Sequence, residues 1–293
     1  MIEVVKAPPF ATVQDQGWRT GRAVGLPAGG AMHPSLLRRA NRMVGNPPGH
    51  AGLEWALGPG MLRITRAAVL CVARDAEVRV SGTPEPASVF SVEAGAEVEI
   101  VPRGRDRFLY VAVAGGIEVP LVMGSRSTYL PGLLGGYEGR RLKPGDLLPV
   151  GEAEAPGGRS DDDGTVPDRA GLLRLRVTRG PQWDRFDAAA QEALLAGAYT
   201  VSPASDRMGY RLTGPAVRPR EAATLPSEAA CPGAVQIPDG GEPIVLMPDG
   251  PTVGGYPKMM VVVAADLGEL AQCQPGRRVG FREIGLDEAR RLR

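Results

Sequence analysis

Glycine and proline cut this chain into pieces too short for most folds built on long helices. Forty glycines and 28 prolines are spread along 293 residues, and the segments between them are short runs of valine, leucine and isoleucine, some alternating with polar residues and some continuous. That pattern fits many short strands joined by tight turns. Strands are expected over residues 68–73, 77–80, 97–101, 108–114, 172–177, 244–247, 259–264 and 278–282. Three segments carry helical spacing instead. Residues 34–44 place Leu36, Leu37, Ala40, Met43 and Val44 on one stripe, residues 187–196 begin with Asp187 as a capping residue, and residues 266–272 are stopped by Pro275 and Gly276. The fold class is therefore mainly β with a few short helices, which are expected to cover barrel ends.

Residues 151–171 contain almost no large apolar side chain, so they bury too little surface to offset the entropy of ordering them. They read as a polar linker between residues 1–150 and 172–293. The two sides look duplicated. A helix followed by Gly52-Leu-Glu-Trp-Ala-Leu-Gly-Pro59 answers a helix followed by Met208-Gly-Tyr-Arg-Leu-Thr-Gly-Pro215, and Leu142-Lys-Pro-Gly-Asp answers Gln274-Pro-Gly-Arg-Arg as the turn into a last strand. Two related β-barrels follow from this, and a cleft between such domains is where small-molecule sites tend to lie.

Charge and residue usage narrow the chemistry. A formal net charge of +1 argues against nucleic acid or an anionic membrane as the main partner. The longest apolar run, residues 259–265, is far too short to cross a bilayer, and the first residues lack the order of a secretion signal, so a cytoplasmic location is expected. Cys71, Cys231 and Cys273 are widely spaced, which suggests neither a disulfide framework nor a zinc ribbon. His33 and His50, both near the start, leave no metal-binding histidine pair and little material for a histidine triad, so no metal is expected. No phosphate loop, nucleophile elbow or dinucleotide fingerprint occurs.

Lysine is rare where arginine is common. Lys+Arg total 34, yet only Lys6, Lys143 and Lys258 are lysines. A lysine kept against that background suggests a compact ammonium whose proton affinity can be tuned. Lys258 ends the turn Asp249-Gly-Pro-Thr-Val-Gly-Gly-Tyr-Pro-Lys258, and Ser202-Pro-Ala-Ser-Asp-Arg-Met-Gly-Tyr-Arg211 is the other dense polar motif of this half. Paired with Asp249 or Asp206, Lys258 can orient a carbonyl, neutralise an anion or give up a proton; the same residues also suit an ion pair that braces two loops. Arg207, Tyr210, Tyr256 and Gln236 stand beside these groups as candidate substrate contacts, Gln236 as a donor to a substrate carbonyl; Glu228 and Gln236 flank Cys231-Pro-Gly. In the first half, Gly124-Ser-Arg-Ser-Thr128 sets Ser127 and Thr128 around the guanidinium of Arg126, an arrangement that suits a carboxylate or phosphate and equally a turn cap. Gln14 and Asp15, within Thr12-Val-Gln-Asp-Gln-Gly17, are candidates to line a cleft or ordinary turn residues.

In order along the chain, Thr12-Val-Gln-Asp-Gln-Gly17, Gly29-Gly-Ala-Met32, Ala40-Asn-Arg-Met-Val-Gly-Asn46, Ala114-Gly-Gly-Ile117, Gly124-Ser-Arg-Ser-Thr128, Ser202-Pro-Ala-Ser-Asp-Arg-Met-Gly-Tyr-Arg-Leu212 and Gly254-Gly-Tyr-Pro-Lys258 resemble the allophanate hydrolase subunit 2 family of biotin-dependent carboxyltransferases. The resemblance runs over nearly the whole chain. It implies cyclophilin-like β-barrels. It also implies the role of the C component in an ATP-dependent opening of 5-oxoproline to glutamate by 5-oxoprolinase, with homologues of subunits A and B as partners and ATP possibly bound with a partner. Two other roles in the same family are carboxyl transfer to urea or a related amide, with carboxybiotin from a partner, and non-catalytic regulation by binding an inhibitor of a sensor kinase. In the first role Lys258 and Asp249 would contact the lactam or its activated form, Asp206 would position Lys258, and Arg126 would hold a carboxylate or phosphoryl oxygen.

Overall fold

A computed structural model describes residues 1–73, 76–104, 106–153, 171–220 and 225–292. The chain divides into two compact units, one of Met1–Trp18 with Gly29–Pro167 and one of Arg19–Ala28 with Asp168–Arg293. Arg19–Ala28, which the division at residue 150 places in the first half, thus groups with the second. The core of the expected linker, residues 154–170, lies outside the described residues.

Two antiparallel sheets build the first unit. One has six strands in the order Leu147–Leu148, Ile2–Lys6, Gly60–Ile64, Glu97–Pro102, Ala76–Val80 and Thr83–Glu85, and the other has five in the order Phe10–Gln14, Gly52–Ala56, Leu109–Val113, Ala68–Ala73 and Val89–Val92. Gly60–Ile64 alternates buried and half-buried residues, as a strand with one covered face should, whereas Phe10–Gln14, Gly52–Ala56 and Leu109–Val113 are buried at every position. The reason is cover on both sides. One face contributes Val13, Leu53, Trp55 and Val111 to the core, and the helix Pro34–Met43 packs on Leu109–Val113 and Ala68–Ala73 with Leu36, Leu37, Ala40 and Met43 buried.

The second unit closes. Its seven-stranded barrel runs Leu173–Arg179, Lys258–Val262, Ala234–Gln236, Ile244–Leu246, Gly209–Thr213, Tyr199–Val201 and Arg278–Glu283, and a parallel pairing of Arg278–Glu283 with Leu173–Arg179 completes the ring. Closure leaves these strands without an unpaired edge. Glu228–Ala229 and Val253–Gly254 form a separate two-stranded ladder. The helix Ala188–Ala196 packs on Arg278–Glu283, with Asp187 capping it as its sequence predicts: the carboxylate accepts the Ala190 N–H at 2.8 Å. The helix Ala264–Ala271 packs on Leu173–Arg179 and starts two residues before its predicted onset; a fourth helix, Leu286–Arg291, has no counterpart among the helices expected from sequence. The fold is mainly β with short helices, and among the described residues no helix is long and apolar enough to cross a membrane.

Candidate functional site

Lys258 opens its barrel strand and is 4% exposed. Burying it there depends on Gly180, which follows the adjacent strand Leu173–Arg179. A Cβ on Gly180 would stand 2.2 Å from the Lys258 carbonyl oxygen, so only glycine lets this turn lie against the Lys258 backbone. Two residues on, Gln182 accepts the Lys258 N–H at 2.9 Å through Oε1 and donates through Nε2 to Glu228 Oε1 at 2.6 Å. That same carboxylate oxygen accepts from Lys258 Nζ at 2.6 Å. One glutamine therefore fixes both members of the ion pair, the backbone of one and the side chain of the other.

The pair is asymmetric. The Lys258 side chain is 6% exposed and that of Glu228 is 43% exposed, so a shielded ammonium meets a carboxylate at the surface. The hydrogen bond from Lys258, aided by its charge, holds the Glu228 carboxyl below the usual glutamate range, and Glu228 stays ionised. On the neighbouring strand Gln236 is the direct register partner of Lys258. Gln236 is 4% exposed, and its amide nitrogen has no hydrogen-bond partner among the described residues.

The partners expected for Lys258 from sequence lie elsewhere. Asp249 makes a two-pronged ion pair with Arg207, 2.8 Å to Nε and 2.9 Å to a terminal nitrogen, with Asp249 2% and Arg207 7% exposed. Strand direction explains the separation. Gln236 pairs with both Lys258 and Ile244, so Lys258 sits at the Ile244 end, while Asp249 follows Leu246 at the opposite end of the strand Ile244–Leu246. Asp206 turns its carboxylate onto the backbone N–H groups of Met208 at 2.8 Å and Gly209 at 3.2 Å, a local turn, and the hydrogen-bond partner of the Lys258 ammonium is Glu228 instead. The Tyr210 hydroxyl is buried and donates to the Ala271 carbonyl at 2.6 Å, tying down the end of the helix Ala264–Ala271. Tyr256 is 44% exposed.

The first-unit candidates satisfy one another. Asp15 accepts from the hydroxyls of Ser125 and Ser127, each at 2.6 Å, from the Gly17 N–H at 2.8 Å and from the Arg126 N–H at 2.6 Å. The anion held by the serine-arginine-serine loop is thus the chain's own carboxylate. Thr128 donates to the Val13 carbonyl at 3.0 Å, and Gln14 donates to Thr12 and to the Thr128 carbonyl. The Arg126 guanidinium bonds the Val119 carbonyl at 2.9 Å and reaches Glu118 at 3.3 Å. Ser127 and Thr128 therefore serve the loop and offer no free hydroxyl donor to a ligand. A cavity of about 560 Å³ in this unit, lined by Ile2, Ile64, Arg66, Val92, Glu93 and Val113 among others, includes none of the candidates.

Sequence reasoning missed two groups. Gln182 carries no local signal beyond its place after Gly180-Pro181, and Glu228 stood out only as a flank of Cys231-Pro-Gly. A third omission lies in the first unit, where the buried Glu54 carboxylate accepts from the Met32 N–H at 2.7 Å and the Tyr110 hydroxyl at 2.8 Å.

The sequence profile of the carboxyltransferase domain, subdomain A and B, matches residues 24–283. The C component of 5-oxoprolinase from Escherichia coli is 37% identical over 302 residues, covering 100% of this chain and 94% of that one. Urea amidolyase of Lachancea kluyveri is 32% identical over 319 residues, 100% of this chain but 17% of that protein. Among solved structures, the urea carboxylase of Kluyveromyces lactis superposes with a TM-score of 0.90 at 28% identity, over 99% of this chain and 28% of the other.

Proposed function

The chain belongs to the family of carboxyltransferase domains with subdomains A and B, and on that footing we propose that it serves as the C component of an ATP-dependent 5-oxoprolinase, opening 5-oxoproline to glutamate with subunits A and B in the cytoplasm. The full-length likeness to the Escherichia coli 5-oxoprolinase component supports the choice of reaction. One structural observation carries the site: a buried ammonium, Lys258, whose hydrogen-bond partner among the described residues is a single surface carboxylate.

Opening a lactam places negative charge on its carbonyl oxygen as water adds to the carbon, and the ring nitrogen takes up a proton when the C–N bond breaks. A donor fixed in a poorly solvated position stabilises such an oxygen more than water does, because it needs no reorganisation as the charge develops. Lys258 supplies that donor. Glu228 keeps the ammonium aimed, and Gln182 keeps Glu228 in place. The surroundings do not suit a triphosphate: Glu228 already matches the ammonium and would repel phosphate oxygens, and the chain has no glycine-rich phosphate loop. ATP is accordingly assigned to one of the partners.

The test is ATP hydrolysis by the reconstituted complex with and without 5-oxoproline. Stimulation by 5-oxoproline supports the reading. The likeness to urea carboxylase favours carboxyl transfer as the second reading, which turnover dependent on bicarbonate and a biotinylated partner would establish instead. Complex formation without any substrate-dependent hydrolysis would favour a regulatory role.

A further inference from the structure

We infer that the cavity of the first unit is a second binding site, for an α-amino acid with an apolar side chain, held at its two charges by Arg66 and Glu93. The site is independent of the role given to Lys258. The cavity lies where strands end. In the six-stranded sheet Ile2 opens one strand, Ile64 closes its neighbour, and the two are direct register partners; in the five-stranded sheet Ala68 opens a strand, Val92 closes the next, and these two also pair. Ile2, Ile64, Val92 and Val113 are buried and give the cavity an apolar floor. Ala67 and Ala68 contribute only methyl groups to its wall, and a space of about 560 Å³ stays open, a size common for small-molecule sites.

Two crossovers between the sheets pass this end. Residues 65–67 join Gly60–Ile64 to Ala68–Ala73 and carry Arg66, and residues 93–96 join Val89–Val92 to Glu97–Pro102 and carry Glu93. Backbone hydrogen bonds tie the crossovers together, from the Gly95 N–H to the Ile64 carbonyl at 2.7 Å and from the Ile64 N–H to the Ala96 carbonyl at 3.0 Å. Arg66 and Glu93 both line the cavity and both are exposed. Although their backbones are held close, they form no ion pair with each other or with any other group among the described residues, and the guanidinium reaches only the Gly151 carbonyl, at 3.4 Å. Charge selects the ligand. A lone carboxylate on Arg66 would meet the like charge of Glu93, and a lone amine on Glu93 would meet that of Arg66. A zwitterion satisfies both, its carboxylate on the guanidinium fork and its ammonium on Glu93. The floor then takes an apolar side chain, and a second carboxylate such as that of glutamate would be desolvated there at a cost.

Isothermal titration of the full chain with leucine tests the site, with 4-methylpentanoate, which lacks the ammonium, isoamylamine, which lacks the carboxylate, and glutamate as the comparison ligands. Leucine should bind saturably, and each of the other three should bind at least about tenfold more weakly. Arg66→Met and Glu93→Gln alter exposed crossover residues, so they should leave the melting temperature unchanged while each weakens leucine binding about tenfold. Equal binding of leucine and 4-methylpentanoate, or full leucine affinity in Glu93→Gln, would overturn the zwitterion assignment. No saturable binding of millimolar leucine, or unchanged affinity in both variants, would overturn the site itself and leave Arg66 and Glu93 as solvated surface charges.

Discussion

Replacing Asp249 by alanine separates a structural brace from a catalytic acid. Asp249 is 2% exposed and Arg207 7%, and two hydrogen bonds of 2.8 and 2.9 Å join them. Removing the carboxylate takes the two-pronged Asp249 contact from a buried guanidinium, and breaking a buried pair from one side typically costs about 3–5 kcal/mol. At about 3 °C per kcal/mol for a unit of this size, the melting temperature should fall by roughly 10–15 °C. The double variant Arg207→Met with Asp249→Leu removes both charges and should recover most of that loss, since apolar replacement of a buried ion pair is often neutral. Thermal and urea unfolding of the wild type and both variants measure the effect. An Asp249→Ala protein that melts within about 2 °C of wild type and yet loses turnover would refute the reasoning, because surface-like tolerance is incompatible with a buried brace.

Three further outcomes are expected. Because Lys258 depresses the Glu228 carboxyl in the folded chain, the stability that pair contributes is present above the ordinary glutamate value and is lost as pH falls through the lower folded one; Glu228→Gln should flatten the acid side of the stability profile over that window. Burial pushes the Cys71 thiol up to about 12, Cys273 is also buried and Cys231 is exposed, so a thiol reagent at mildly alkaline pH should label Cys231 in the native chain and all three cysteines after denaturation. Asp15→Ala strips the acceptor from two fully buried serine hydroxyls and should cost several kcal/mol, at about 1–3 kcal/mol per stranded group, read by urea unfolding.

Local pattern was legible and long-range pairing was not. The helices Pro34–Met43 and Ala188–Ala196 follow from apolar spacing and a capping aspartate, both of which act within a few residues. Lys258 was singled out by its rarity and Gln236 by its place near the polar turn, but the partner of Lys258 was not legible. Asp249 looked near because nine residues separate them, whereas antiparallel strands carry those residues to opposite ends; Glu228, 30 residues away on a two-residue strand, is the one in contact. The same blindness applied to Asp15 and the Ser125–Ser127 turn. Both motifs stood out, yet a carboxylate and its donors more than 100 residues apart were read as two ligand sites, not as one another's partners. Glu54 went unnoticed because an acid between Leu53 and Trp55 looks like an outward-facing strand position, and only the overlying segment around Met32 makes that face interior.

The central claim is that the Lys258 ammonium meets the substrate carbonyl, and the most direct measurement is 5-oxoproline-dependent ATP hydrolysis by the complex reconstituted with Lys258→Ala. Removing a preorganised donor to a developing oxyanion should lower turnover by about 100-fold or more while the variant still assembles with its partners. Wild-type turnover by an assembled Lys258→Ala complex would contradict the account.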